Sequence, residues 1–461
     1  MRKTKFLLLF FSSLLLVFTC RVSFGQEQDS NQCWKAGIAR TVITPEQPMW
    51  MSGYAVRTHE ADGIIHELWA KALIIVDKNG ERALLVTTDL DAFPKYLSDR
   101  IRNRIEKIYG LKRSRILLNS SHTHSGPVLQ GLYNCYQYDS LEVGKIKNYS
   151  EKLEDKIISI VGEAVKSAKP ARLYALNGIT RFQVNRRNNK EYELTNLTEL
   201  KGPNDYSVPV IKIVDLSGKP MAVAFGYACH NTTLDGYQWC GDYAGFAQIE
   251  LERAYPGITA MFFQGAGADQ NPLPRRKISL AQQYGRELAA AVERVLDENM
   301  KELKPELKIA YSEIPLELSN PPANDVLLKM IQSSTGYVKK WAEDLLTSIQ
   351  KGENIPSSYP YPVQVWKIGD LPVFSLGGEV VVQYSLELKR LFGQNAFVLS
   401  YCNDVMAYIP SDEILKEGGY EGDTSMIAFG LPAPWKSNVE KLIMEEAIRL
   451  AKIADVPLEK Q

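Results

Sequence analysis

Histidine is scarce in this sequence, charge is balanced, and no internal repeat or low-complexity tract interrupts it. Each shortage removes a class of function. Lys plus Arg and Asp plus Glu number 54 each and the sequence pI is near 7.0. No basic field therefore exists to hold nucleic acid or an anionic membrane. No CxxC pair occurs, which argues against a cysteine zinc knuckle. Beyond the N-terminus no stretch is apolar enough to span a bilayer, so no integral membrane segment is expected. With only five histidines in the chain, two of them inside one short loop carry weight.

The N-terminus reads as a targeting segment. Arg2, Lys3 and Lys5 form a basic start, Phe6 to Phe18 an apolar run, and Ser23-Phe24-Gly25 a small-residue cleavage site before Gln26. Residues 1–25 are therefore expected to be a signal peptide, and the protein to be exported, periplasmic or secreted. Lipoprotein anchoring at Cys20 is the weaker alternative, because Phe18-Thr19 is a poor lipid-attachment context. The mature chain keeps Cys33, Cys135, Cys229, Cys240 and Cys402. Export permits disulfides, and Cys229 with Cys240 could close a small loop around His230.

The chain is 45% apolar and 23% charged, an ordinary globular balance, and residues 26–461 suit one large domain better than two. Lys78-Asn79-Gly80 reads as a hairpin turn between the apolar runs 70–76 and 83–88. Helical spacing is expected over 97–109, stopped by Gly110, and over 149–167, stopped before Pro170. Helices are expected also at 242–254, 279–296, 324–349, 379–391 and 437–453. Strands are expected at 116–118, 208–215, 221–228, 258–263, 307–316, 363–368, 372–376 and 396–401, with 356–362 a loop. Strands and helices alternate irregularly, so the fold class is α/β: mixed β-sheets covered by helices.

The centre of the sequence is Ile116-Leu117-Leu118-Asn119-Ser120-Ser121-His122-Thr123-His124-Ser125-Gly126-Pro127. A short buried strand runs into a polar loop. If the extended conformation persists, His122 and His124 point to one face, a good start for a zinc site. Other polar, chemically capable residues also stand where apolar elements end. These are Cys229-His230-Asn231 with Gly241-Asp242, Ala268-Asp269-Gln270-Asn271-Pro272, Gly377-Gly378-Glu379, and Ala407-Tyr408-Ile409-Pro410 with Gly419-Tyr420-Glu421.

In order and spacing these stretches, with Ala36-Gly37-Ile38-Ala39-Arg40 and Met51-Ser52-Gly53-Tyr54 ahead of them, resemble the catalytic domain of the neutral/alkaline non-lysosomal ceramidases. The resemblance runs from about residue 35 to about 450. It implies a zinc-dependent hydrolase cleaving an amide or related acyl bond by zinc-activated water. It implies Zn2+ on His122, His230, Glu379 and Tyr408. His124 matches a histidine that faces substrate, Tyr420 a tyrosine that donates to the scissile carbonyl, and Arg186 an arginine that contacts substrate. Asp242 is expected to orient a histidine or cap its helix. Taken singly, each residue has a plainer role. His230 could be a core histidine, Glu379 a helix opener beside the dipole, and Tyr408 a packed aromatic.

One departure stands out. Where the family carries a catalytic serine in a Gly-Asp-x-Ser-Pro motif, this chain has Asn271. An amide cannot serve as that nucleophile but can donate a hydrogen bond to a developing oxyanion. No room is expected for the family's C-terminal sandwich domain. A small-molecule, lipid or glycan substrate fits the resemblance. The alternatives are a zinc enzyme acting on a glycan or cell-envelope substrate, or a non-catalytic binding protein on the same fold.

Overall fold

The computed structural model describes residues 32–133, 135–193 and 199–459. The signal peptide expected at 1–25, and Cys20 with it, lie outside the described residues.

Side-chain alternation along the strands explains the layers. In Trp69–Val76, Ala70, Ala72 and Ile74 belong to one apolar cluster while Leu73 and Ile75 belong to another. Leu84 and Val86 against Ala83, and Ile116 and Leu118 against Leu117, divide the same way. Both faces of the sheet are thus buried, which is why these strands read as continuous apolar runs. On one face lie helices Lys95–Tyr109 and Ser140–Ser167, and further along Asp242–Ala254 and Ile278–Asp297. On the other lies a second sheet, which brings Trp366, Ile368, Val373 and Phe397 into the shared core. That second sheet is covered in turn by Val382–Phe392 and Val439–Ile453. The architecture is helix, sheet, sheet, helix.

The large sheet runs in the order Thr259–Gln264, Pro220–Tyr227, Ser207–Asp215, Lys169–Ile179, Trp34–Val42, Trp69–Val76, Arg82–Thr88, Ile116–Ser120, with Lys301–Leu303 paired to Lys169–Ile179. The pairs at its two ends are parallel and the rest antiparallel. The second sheet is Leu307–Glu317, Ser358–Ile368, Leu371–Leu376, Phe397–Leu399. At Gly37 the long helix comes so close that a Cβ would meet the Ala164 carbonyl oxygen at 1.9 Å, so only glycine fits there.

Asn119 ties the ends of the large sheet to the later chain. Its side chain accepts from the Gln264 backbone N–H at 2.8 Å and donates to the Ser400 carbonyl at 2.7 Å. Both edge strands and the 400 loop therefore meet at one point, where the polar loops cluster.

Several expectations need correction. The 149–167 helix begins earlier, at Ser140, where the Asp139 side chain accepts from the Glu142 N–H at 2.8 Å and caps it. The strand Lys169–Ile179 follows it directly, hidden in sequence by the Lys169-Pro170 stop. The 324–349 stretch is two helices, Asn324–Ser333 and Gly336–Gln350. The 356–362 loop is largely strand, because Ser358–Ile368 pairs on both sides only from Val363 onward. Pro360 and Pro362 sit in the part with a single neighbour, where a missing N–H costs little. The helix expected from Glu379 begins at Val382, and Glu379 itself lies in a two-residue strand. Cys229 and Cys240 are both free thiols, so they close no loop.

Candidate metal centre and active site

Three small backbone pairings set the centre. A parallel bridge joins Thr123 to Asn231, placing the residues just before them, His122 and His230, side by side. Glu379–Val380 pairs in parallel with Tyr408–Ile409 in a register that sets Glu379 opposite Tyr408. Gln270–Pro272 pairs with Gln183–Asn185, which brings Asn271 next to the turn carrying Arg186. The first histidine does not continue its strand. His122 has φ 61°, in the left-handed region, so the two imidazoles converge through a turn rather than along an extended chain.

The polar atoms meet closely. His122 Nε2 lies 3.2 Å and His230 Nε2 3.3 Å from the same oxygen, Glu379 Oε2. His230 Nε2 lies 3.3 Å from Tyr408 Oη. His124 Nε2 stands 3.1 Å from His122 Nε2. The three imidazoles offer nitrogen atoms within 4.8 Å of one another, a group able to hold a metal ion. His122, His230, Glu379 and Tyr408 are all buried.

Electrostatics show that the cluster wants positive charge. Burial disfavours a proton on His122, yet the Glu379 and Asp91 carboxylates outweigh it and lift its pKa to about 10. Against the same burial, His122 holds Asp91 down to about 2 and Glu379 well below the usual carboxylate range. Burial and the neighbouring cations keep the other two imidazoles neutral, His124 well below 6.5 and His230 at about 4. Burial holds Tyr408 as a phenol. A cation among the three imidazoles and Glu379 would take the place of the proton that the buried carboxylates hold on His122.

The expected catalytic residues surround this cluster. Arg186 donates from Nη2 to Tyr408 Oη at 3.1 Å and from Nη1 to Asn271 Oδ1 at 3.4 Å. Its Nε is held by Glu421 Oε1 at 2.7 Å, and Arg187 grips the other oxygen of that carboxylate at 2.7 Å. Arg186 faces the cluster, while Arg187 clamps the 417–421 segment that carries Tyr420. The Tyr420 ring lies 5.3 Å from that of Tyr408 and is 49% exposed, so it stands on the solvent side.

Sequence reasoning missed the supporting residues. His122 Nδ1 is held by Asp91, 3.0 Å from its carbonyl oxygen and 2.9 Å from its carboxylate. Ser52 and Tyr133 donate to the other Asp91 oxygen. Asp269 accepts from Asn185 Nδ2 and from the Val382 N–H, both at 2.9 Å, fastening the Arg186 turn to the Glu379 segment. Asp242, expected to orient a histidine or cap its helix, accepts from the Leu234 N–H at 2.9 Å and from the Tyr243 N–H at 2.7 Å, so it orders the loop after His230 and the start of its helix. The histidine partner on that side is the Gly267 carbonyl, 2.8 Å from His230 Nδ1. The Asp89-Leu90-Asp91 tail of Arg82–Thr88 was the available signal, an acidic pair just past the strand beside the histidine strand.

Fold and site together define an α/β protein with a buried donor cluster, able to hold a metal ion, at one end of its large sheet. A model of the N-terminal part of neutral/alkaline non-lysosomal ceramidases matches residues 34–268, and the chain belongs to that family. Neutral ceramidase A of Dictyostelium discoideum is 29% identical over 223 residues, covering 46% of this chain and 30% of that protein. Neutral ceramidase B of the same organism is 28% identical over 245 residues, covering 49% and 33%. The matched region thus spans about a third of the curated relatives' length. The crystal structure of neutral ceramidase from Pseudomonas aeruginosa shares the fold, with TM-score 0.72 at 18% identity over 93% of this chain and 76% of that one.

Proposed function

We propose that the chain is an exported zinc hydrolase that cleaves an amide, or a related acyl bond, in a small-molecule, lipid or glycan substrate. The observation that carries this is the convergence of His122, His230, Glu379 and Tyr408. Ligands ~2.0–2.1 Å from a tetrahedral ion stand about 3.3–3.4 Å apart. The distances from Glu379 Oε2 to His122 and His230, and from His230 to Tyr408, are 3.2, 3.3 and 3.3 Å. These four residues would hold the ion. When bound, zinc supplies Lewis acidity, polarising a carbonyl and making water acidic near neutral pH.

The chain's own groups do the rest. His124, kept neutral, accepts a proton from the attacking water and delivers it to the leaving nitrogen. The water oxygen bonds to the carbonyl carbon, the C–N bond breaks, and acid and amine leave. Tyr420 donates to the carbonyl oxygen, and Asn271 assists through its amide. Arg186, held charged by Tyr408 and Glu421 despite burial, adds positive charge beside them. The names of the relatives point to N-acyl sphingosine as the first substrate to try. Metal analysis of purified protein followed by a screen of N-acyl substrates tests the reading. A metal-free protein inert toward every amide would end it.

A further inference from the structure

A cleft beside the centre is unused by the reaction above. Its walls are Trp50, Tyr54, Tyr136, Tyr138 and Tyr337, with Gln137 at the rim, around a cavity of about 260 Å³. The rings brace one another. Tyr136 stacks on Tyr337 with centroids 4.9 Å apart, and Trp50 tilts against Tyr138 at 5.9 Å. Each of these aromatic side chains is only half-buried. The hydroxyls of Tyr136, Tyr138 and Tyr337 make no hydrogen bond among the described residues.

The cleft borders the reacting groups on two sides. Tyr54 meets the His124 ring edge-on at 4.7 Å. Gly53 is required there, since a Cβ would fall 2.4 Å from His124 Cγ. On the far side, Tyr337 lies close enough to Tyr420 to disfavour its ionised form, and Tyr420 in turn disfavours that of Tyr136. His124 is the most open of the three imidazoles and Tyr420 is half exposed, so the two proposed reacting groups beside this cleft are those nearest solvent.

Aromatic faces interleaved with unpaired hydroxyls suit a particular chemistry. A saturated ring turns its slightly positive C–H bonds to the negative π faces, and its hydroxyls pair with the phenols and the Gln137 amide. An alkyl chain would use the faces but strand the hydroxyls. We propose that the cleft is a subsite for a hydroxylated saturated ring of the sugar type, carried next to the scissile amide. The link to catalysis rests on the amide-hydrolase reading, whereas the binding does not.

Saturation-transfer NMR on the intact chain tests the subsite, with methyl β-D-glucopyranoside and N-acetylglucosamine as probes. Ring protons are expected to saturate with the wild type and with His122→Ala alike. The dissociation constant should rise about tenfold in Tyr136→Ala and in Tyr337→Ala, and less in Tyr136→Phe, which keeps the face. No saturation by the wild type, or undiminished saturation by both alanine variants, overturns the proposal. Hydrolysis of N-hexanoyl-glucosamine and N-hexanoyl-sphingosine separates the two readings. If neither is cleaved while the probes still bind, the amide reading fails and the subsite stands. If only the sphingosine substrate is cleaved, and Tyr136→Ala and Tyr337→Ala slow it, the cleft is an alkyl groove and the subsite proposal falls.

Discussion

Asp91 fixes His122 from behind, with its carboxylate 2.9 Å from Nδ1 on the side of the ring facing away from Glu379. This orientation leaves Nε2 free to face the cluster, the usual arrangement of a carboxylate behind a metal-binding imidazole. Asp91→Asn keeps the shape but loses the charge. Zinc affinity, measured by chelator competition, is expected to fall about 10- to 100-fold. Unchanged affinity would show that Asp91 serves only the fold.

Purified protein is expected to carry one zinc ion per chain. The combined variant His122→Ala, His230→Ala should lose it, as read by elemental analysis, with the circular dichroism spectrum retained. Full metal in that double variant would remove the four-residue site.

Asn271 supplies a graded test of the oxyanion role. Its Oδ1 already accepts from Arg186 at 3.4 Å, which leaves the amide nitrogen to donate. Single-turnover hydrolysis by Asn271→Ala should slow by about 100- to 1,000-fold, and Asn271→Ser should change it only modestly. Loss of His122 should reduce it much further. A rate unaffected in Asn271→Ala would place the amide outside the mechanism.

Asp404 makes stability depend on pH. Burial raises its pKa from 3.8 to about 7, and only Oδ2 is satisfied, by Tyr359 Oη at 2.7 Å. The folded state therefore binds a proton that the unfolded chain releases above its lower pKa. The resulting stability is full below pH 3.8 and is lost as pH rises to about 7. Asp404→Asn removes that loss, so it should raise the melting temperature relative to wild type more at pH 8 than at pH 5. The gain should be on the order of a few kcal/mol at pH 8. Equal shifts at both pH values would contradict a buried neutral carboxyl.

Much of this was legible because local signals and tertiary structure agree. The helix Asp242–Ala254 falls on its expected bounds, and each expected ligand stands at the end of an apolar element. What stayed hidden depends on contacts between distant segments. The acidic pair Asp89 and Asp91 marks a strand end but not a partner, because the link to His122 is made by parallel pairing of Arg82–Thr88 with Ile116–Ser120. Glu379 is expected as a ligand at the start of a helix, but its pairing across a ladder with Tyr408 has no local signal. The left-handed turn at His122 carries no glycine or asparagine to announce it.

The pairing of Glu379 with Tyr408 also fixes when the centre can exist. A chain emerging from its N-terminus presents both histidine donors long before either oxygen donor has been made. Until the last part of the polypeptide docks against Asn119, the proposed site holds only its two nitrogen donors. On the proposed site, selection of the ion therefore belongs to the end of folding, and a chain interrupted before residue 408 would lack the Tyr408 donor.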